Sequence, residues 1–235
     1  MHDELVGRVA AILRYPVKSM AAEPLESADV SWNGLPGDRR WAFVRPDLER
    51  NGFPWLTLRQ RNDLNAYRPR WVDPTRPDRS AVLVRTPTDA ELEITSPELA
   101  QELGAQVMKL DRGAFDSMPL SLVSTRTVTE IGTLAGTPAD VLRFRPNLVV
   151  EPIGDDAFPE DAWVGATLRV GGMTMRVDRR DKRCVVINID PATGHRSPEV
   201  LKAVARHRDT CLGVYGSVVA PGPVTVGSPV FRAGS

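Results

Sequence analysis

Twenty prolines and eighteen glycines are spread over 235 residues, and they leave no long uninterrupted stretch for a continuous helix. Proline removes a backbone donor and glycine adds backbone freedom, so this punctuation divides the chain into short segments. Many of these alternate or run apolar in the manner of strands. They include Leu5–Leu13, Trp41–Val44, Ala81–Val84, Leu120–Val123, Asn147–Val150, Thr167–Val170, Met173–Val177, Val185–Ile189, Val214–Val219 and Val224–Val226. Turn signals such as Asn33-Gly34, Pro36-Gly37-Asp38, Gly171-Gly172 and Pro221-Gly222 separate them. The expected architecture is mainly β, a barrel or sandwich rather than a parallel sheet with crossover helices.

Three helices stand out against that background. Ser96-Pro97-Glu98 opens the first with an N-cap, a proline at the first helical position and an early acid, and Gly104 closes it. The second spans about Ser124 or Thr125 to Ala135, ending at Gly136. The third starts at Ser197-Pro198-Glu199 and carries Val200, Leu201, Val204 and Ala205 at helical spacing. Tyr67–Ser80, rich in Pro, Arg and Asp, reads as an exposed loop or a boundary between subdomains.

Thirty acids balance thirty bases, so no global field draws the chain to nucleic acid or lipid, and any basic site must be local. No apolar stretch approaches the roughly 20 residues that span a bilayer. The start, Met1-His2-Asp3-Glu4, lacks the basic and apolar regions of a signal peptide, and a cytoplasmic location is expected. Two cysteines, Cys184 and Cys211, are too few for a disulfide framework or an all-cysteine metal site, and His2, His195 and His207 form no spaced ligand set. A metal, if used, would arrive inside a cofactor and take one protein ligand.

The run Arg176-Val177-Asp178-Arg179-Arg180-Asp181-Lys182-Arg183-Cys184 holds five bases in nine residues, directly before a cysteine. Nearby cations favour thiolate over thiol, which suits a nucleophile or a soft metal ligand. The alternative is a solvated charged loop followed by a buried cysteine at a strand start. Tyr15-Pro16-Val17-Lys18-Ser19 ends the first apolar run with a cation and a hydroxyl, which can hold a phosphate or form a plain surface turn. Gly34-Leu35-Pro36-Gly37-Asp38-Arg39-Arg40-Trp41 adds guanidinium groups, unless Asp38 and Arg39 pair simply to fix the loop. Phe144-Arg145-Pro146-Asn147 offers a guanidinium and an amide before an apolar strand, or is an edge-strand start. Phosphate-binding glycine loops and a Ser-His-Asp order are missing, so nucleotide-dependent and hydrolase chemistry have no support.

Taken together these segments resemble the MOSC superfamily and the N-terminal β-barrel region that accompanies it. Tyr15–Ser19 and Gly34–Trp41 are similar to the N-terminal signatures. Phe144–Asn147, Arg183-Cys184 with Asp190-Pro191-Ala192-Thr193-Gly194, and Pro221-Gly222 with Val226-Gly227 are similar to the MOSC signatures. The resemblance implies a MOSC-type β-barrel over 111–235, packed with an N-terminal β-barrel-like region over 5–110, and a molybdenum–molybdopterin cofactor. It further implies that Cys184 ligates the metal and is the catalytic ligand, and that Lys18, Ser19, Arg39, Arg145, Asn147, Lys182 and Arg183 contact the cofactor. Asp116 and Ser117 align more loosely with another contacting turn.

By the same resemblance the chain is expected to be a molybdenum oxidoreductase that reduces N-hydroxylated small molecules with electrons from a separate flavin or iron–sulfur reductase. Two cysteines hold no cluster of their own. A non-catalytic carrier of the cofactor, or a sulfur carrier through Cys184, stands as the alternative. The flank Asp181-Lys182-Arg183 and the run after Cys184 depart from the small or hydroxyl residues frequent in family reductases, and the insertion between the halves is trimmed. Cys211 is expected to be a buried structural residue, and His195 and His207 to lie on the surface.

Overall fold

The computed structural model describes residues 3–45 and 54–234. In chain order the strands are β1 (Glu4–Arg14), β2 (Glu23–Leu25), β3 (Ser27–Val30), β4 (Trp41–Val44), β5 (Arg68–Trp71), β6 (Val82–Arg85), β7 (Glu91–Glu93) and β8 (Gln106–Lys109). They continue with β9 (Leu120–Ser124), β10 (Leu148–Pro152), β11 (Thr167–Val170), β12 (Met173–Lys182), β13 (Cys211–Ala220), β14 (Gly222–Thr225) and β15 (Pro229–Arg232). Three α-helices accompany them among the described residues: α1 (Pro97–Leu103), α2 (Thr125–Ala135) and α3 (Glu199–Arg208).

Seven strands close into a barrel in the order β10-β9-β13-β12-β11-β15-β1, because β1 pairs back onto β10, and β2 hangs on the edge of β1. Closure removes the exposed edges that an open sheet of this size would carry. Every pair in the ring is antiparallel except β9–β10. Parallel neighbours need a crossover, and α2 supplies it between β9 and β10. Val6, Val9, Ile12, Leu122, Leu148, Val150, Leu168, Val170, Met175, Val177, Val214 and Val230 fill the interior as the inward positions of the alternating strands. Gly7 is required by close approach: a Cβ there would stand 2.5 Å from the carbonyl oxygen of Glu151 on β10. The N-terminal strand therefore belongs to the barrel built by residues 120–232.

A second apolar cluster gathers Val17, Met20, Phe43, Leu58, Tyr67, Trp71, Val82, Val84, Ile94 and Leu99 around the small sheets β4–β8 and β5–β6–β7. A third joins α2 and α3 through Ile131, Phe144, Ile187, Val200, Val204 and Leu212. Helix ends follow the local chemistry of the sequence. Ser96 and Ser124 accept from the amides of Leu99 and Thr127, and Gly104 and Gly136 close α1 and α2 in the left-handed conformation.

Four expectations need correction. Val185–Ile189 is not a strand: Val185–Asn188 forms a 3-10 turn beneath α3. Its β-branched run signals burial, but the pairing of β12 with β13 ends at Lys182–Cys211, so no edge remains to pair with. Tyr67–Ser80 is not wholly a loop, since Arg68–Trp71 forms β5 with Pro69 and Trp71 buried. β5 is the outer strand of its sheet, where a proline is tolerated. The third helix begins at Glu199, and the Ser197 hydroxyl donates to the Glu199 carboxylate without capping a backbone amide. Cys211 is half-buried at the head of β13 rather than fully enclosed.

Candidate functional site

All ten residues singled out from the sequence (Lys18, Ser19, Arg39, Asp116, Ser117, Arg145, Asn147, Lys182, Arg183 and Cys184) line one cavity of about 560 Å³. That volume suits a small-molecule or cofactor site. Three of the ten, Ser19 (φ 70°), Arg39 (φ 50°) and Arg145 (φ 52°), hold left-handed backbone conformations although none is glycine. Each such residue costs about 1–2 kcal/mol, and such strain gathers at functional sites.

Asp38 is the hub beneath this surface. It is 1% exposed, and it accepts from the Tyr15 amide at 2.7 Å, from Asn147 Nδ2 at 3.1 Å and from the Arg39 guanidinium. Asn147 Nδ2 also donates to the Leu13 carbonyl, and its Oδ1 accepts from the Ser121 amide. With both amide ends engaged in this way, Asn147 ties β1, β9 and β10 together and holds Asp38 and Arg39 in place. Arg39 Nη2 donates to the Arg145 carbonyl at 3.1 Å. The guanidinium groups of Arg39 and Arg145 both lie over the buried Tyr15 ring, 4.7 and 4.3 Å from its centroid. The Asp38–Arg39 pair and the cavity-bordering position of Arg39 are thus parts of one arrangement.

Lys18, 6% exposed, donates from Nζ to the Ala114 carbonyl and to Asp116 Oδ1 at 2.8 Å. Arg183 donates to the carbonyls of Leu212 and Phe144 and pairs with the buried Asp181 at 2.9 Å. Gly213 makes room for this guanidinium: its φ is 71°, and a Cβ there would meet Arg183 Nη2 at 3.2 Å. The charged run before Cys184 is strand, not loop. Register irregularities between Val177 and Arg179 and between Arg180 and Lys182 break the alternation, so that five consecutive residues from Arg179 to Arg183 all border the cavity. Lys182 is exposed, Cys184 is half-buried at the strand's end, and Arg179 bonds the Ser117 hydroxyl.

Arg59 and Arg143 went unnoticed in the sequence. Arg59 Nη2 lies 3.5 Å from Cys184 Sγ, and nothing in Thr57-Leu58-Arg59-Gln60 announces that contact, which is purely tertiary. Arg143 donates to Asp190 Oδ2 at 2.6 Å and to the carbonyls of Ile187 and Asn188, which fastens the turn after Cys184. Its position one residue before the Phe144–Asn147 segment was the available clue. His195 and His207 are exposed and do not border the cavity. Among the described residues no group of three or more His, Cys, Asp or Glu is placed to hold a metal ion unaided.

Burial above all, with Arg39 adding to it, brings Arg145 down to about 10. Burial likewise lowers Lys18 against the opposing pull of Asp116. Only the protonated forms attract an anion, so affinity is present below these lowered values and lost as pH rises through them. Sulfate stays a dianion across this range. Calorimetric titration of the chain with sulfate is therefore expected to show affinity falling several-fold as pH approaches about 10. A flat profile up to pH 10.5 would contradict the assignment.

The fold and the cavity define a MOSC-type barrel, and the comparisons agree. The model of the MOSC domain matches residues 109–231, and that of the MOSC N-terminal beta barrel domain matches residues 6–119. The chain belongs to the MOSC domain family. It is 27% identical to a molybdenum cofactor sulfurase of Drosophila grimshawi, over 87% of this chain and 31% of that protein. It is 32% identical to mitochondrial amidoxime reducing component 2 of Rattus norvegicus, over 50% of this chain and 37% of that protein. The chain thus spans about a third of the length of these curated relatives. The solved YuaD protein from Bacillus subtilis shares the fold, with a TM-score of 0.56 and 15% identity over 98% of both chains. No helix among the described residues is long and apolar enough to cross a membrane.

Proposed function

We propose that this protein binds a molybdenum–molybdopterin cofactor in the cavity and works in the cytoplasm as an oxidoreductase on N-hydroxylated small molecules. The observation that carries this reading is the convergence of Lys18, Arg39, Arg145 and Arg183, drawn from both halves of the chain, on the cavity bordered by Cys184. The donor set suits the group. Arg145 Nη2 and Arg183 Nη2 are buried and have no hydrogen-bond partner among the described residues, and such atoms call for an acceptor. A cofactor phosphate provides strong acceptors for forked guanidinium donors.

In this reading Arg39, Arg145 and Arg183 hold the anionic end, Lys18 adds charge, and Ser19 and Ser117 add hydroxyl donors. Asp116 fixes the Lys18 ammonium, and Asn147 and Asp38 fix the Arg39 guanidinium. Cys184 supplies a soft thiolate ligand, and the half-buried position of its sulfur leaves a side open to small molecules. Bound molybdopterin would supply two-electron oxygen-atom chemistry at the metal. The overall reduction takes R–NH–OH, two electrons and two protons to R–NH2 and water. With two cysteines in the chain, the electrons come from a separate flavin or iron–sulfur reductase.

The reading is tested by purifying the chain from a host that makes the cofactor and measuring molybdenum and the oxidation of reduced methyl viologen by benzamidoxime. Close to one molybdenum per chain, with benzamidine formed in step with dye oxidation, is expected. Protein that carries no molybdenum would sink the reading. Protein that carries molybdenum but reduces no N–O substrate would leave a cofactor carrier in its place.

A further inference from the structure

The cations bordering the cavity differ in whether they face a carboxylate. Lys18, Arg39, Arg143, Arg180 and Arg183 do, at Asp116, Asp38, Asp190, Asp161 and Asp181. Arg145, half-buried over the Tyr15 ring, does not, and neither do Arg59, Arg179 and Lys182. These last three are exposed, and none has a carboxylate within 4.0 Å among the described residues. Arg59 donates to Cys184 Sγ at 3.5 Å, and Arg179 bonds the Ser117 hydroxyl.

Arg59 is also held in place. Gln60 Oε1 accepts from both the amide and the hydroxyl of Thr57, at 3.0 and 2.7 Å, which folds the Thr57–Gln60 turn. Arg196 donates to the Leu58 carbonyl at 3.1 Å, and Asn62 and Asn65 donate to the carbonyls of Gly194 and Pro191. Those carbonyls sit on a turn closed by Asp190, whose Oδ1 accepts from the amides of Ala192 and Thr193. The Asp190–Gly194 segment therefore clamps an N-terminal loop onto the MOSC half so that a guanidinium stands beside the cysteine. A cation on a fixed turn loses little entropy on binding, and is well suited to recognise a charge.

We propose that Arg59, with Arg179 and Lys182 beside it, forms an anion-recognising rim next to Cys184 that selects substrates bearing a carboxylate or similar acidic group near the reducible N–O bond. The inference rests on the functional reading above and adds the substrate class. A thiolate bound to a metal gives its charge to that metal, which leaves the Arg59 fork available for a substrate carboxylate. The neighbouring Leu58 and Val186 side chains offer an apolar wall for the body of such a molecule.

The test is calorimetric binding of two probes, benzamidoxime and 4-carboxybenzamidoxime, to protein purified from the cofactor-making host, with viologen-coupled turnover of both measured alongside. The carboxylate is expected to bind about tenfold tighter at low salt, with the preference shrinking as salt screens the partly exposed charges. Arg59→Gln is expected to bring the two affinities within about twofold of each other, and Arg179→Ala to narrow the gap. Among the described residues the Arg59 side chain bonds only Cys184, so its removal is expected to leave the fold intact, and thermal unfolding verifies this.

Equal binding of the two probes by the parent, a preference that survives both substitutions, or no binding of either probe would overturn the rim. The two failures separate cleanly. A preserved carboxylate preference without turnover supports the rim and sinks the reductase reading. Turnover of benzamidoxime without any preference for its carboxylate supports the reductase and sinks the rim.

Discussion

Asp38→Ala is expected to be the most destabilising single substitution in the site, costing roughly 3–5 kcal/mol. The carboxylate is fully enclosed, and three donors depend on it: the Tyr15 amide, Asn147 Nδ2 and the Arg39 guanidinium. Its loss strands a buried cation and two buried N–H groups at once, and each orphaned donor carries its own desolvation cost. For a chain of this size that loss lowers the melting temperature by about 10 °C. Asp38→Asn keeps the volume and one acceptor, but turns an NH2 toward two existing donors, so it is expected to recover less than half of the loss. Differential scanning calorimetry checks both variants. A loss under about 1 kcal/mol for Asp38→Ala would mean that the network contributes little to the fold. Sulfate affinity measured on the same protein separates fold from site, because Arg39 released from Asp38 and Asn147 loses its direction.

Cys184→Ala is expected to abolish turnover, by at least about a thousandfold, and to lower the molybdenum content of the purified protein. The sulfur lies at the end of β12 among exposed cations and carries no part of a core cluster. Its removal therefore leaves the melting temperature within a few degrees of the parent. This combination of lost activity and kept stability separates a ligand from a structural cysteine. Cys211→Ala serves as the control, with turnover retained. A Cys184→Ala protein that keeps full activity would remove the thiol from the chemistry.

The barrel was legible in the sequence because its strands obey the simplest pattern. Met173, Met175 and Val177 in β12 alternate as a one-sided strand must, while register irregularities in β1 leave its inward residues Val6, Val9 and Ile12 three apart. The caps of α1 and α2 were readable down to the residue for the same reason: Ser96, Ser124, Gly104 and Gly136 act within one turn of themselves. Features set by distant partners were not legible. Val185–Asn188 carries strand-forming residues, yet the ladder beside it has already ended. Short strands such as β2, β7 and β8 hold few buried residues and announce themselves poorly.

The same division runs through the site. Lys18, Arg39, Arg145 and Arg183 each sit beside local signals, a turn or a strand end, that marked them in the sequence. Arg59 does not, because its place beside Cys184 is fixed by Arg196 and by the Asp190 turn, well over a hundred residues away. The sequence also left two readings open at Asp38-Arg39, a paired turn or a ligand contact. The geometry shows the pair, and the same Arg39 side chain borders the cavity.

The most direct measurement is anomalous diffraction at the molybdenum edge from crystals of protein made in a cofactor-producing host. One peak is expected in the cavity, within bonding distance of Cys184 Sγ, with the cofactor phosphate among Arg39, Arg145 and Arg183. A peak bound elsewhere on the chain, or cofactor density that leaves Cys184 and these three cations untouched, would contradict it.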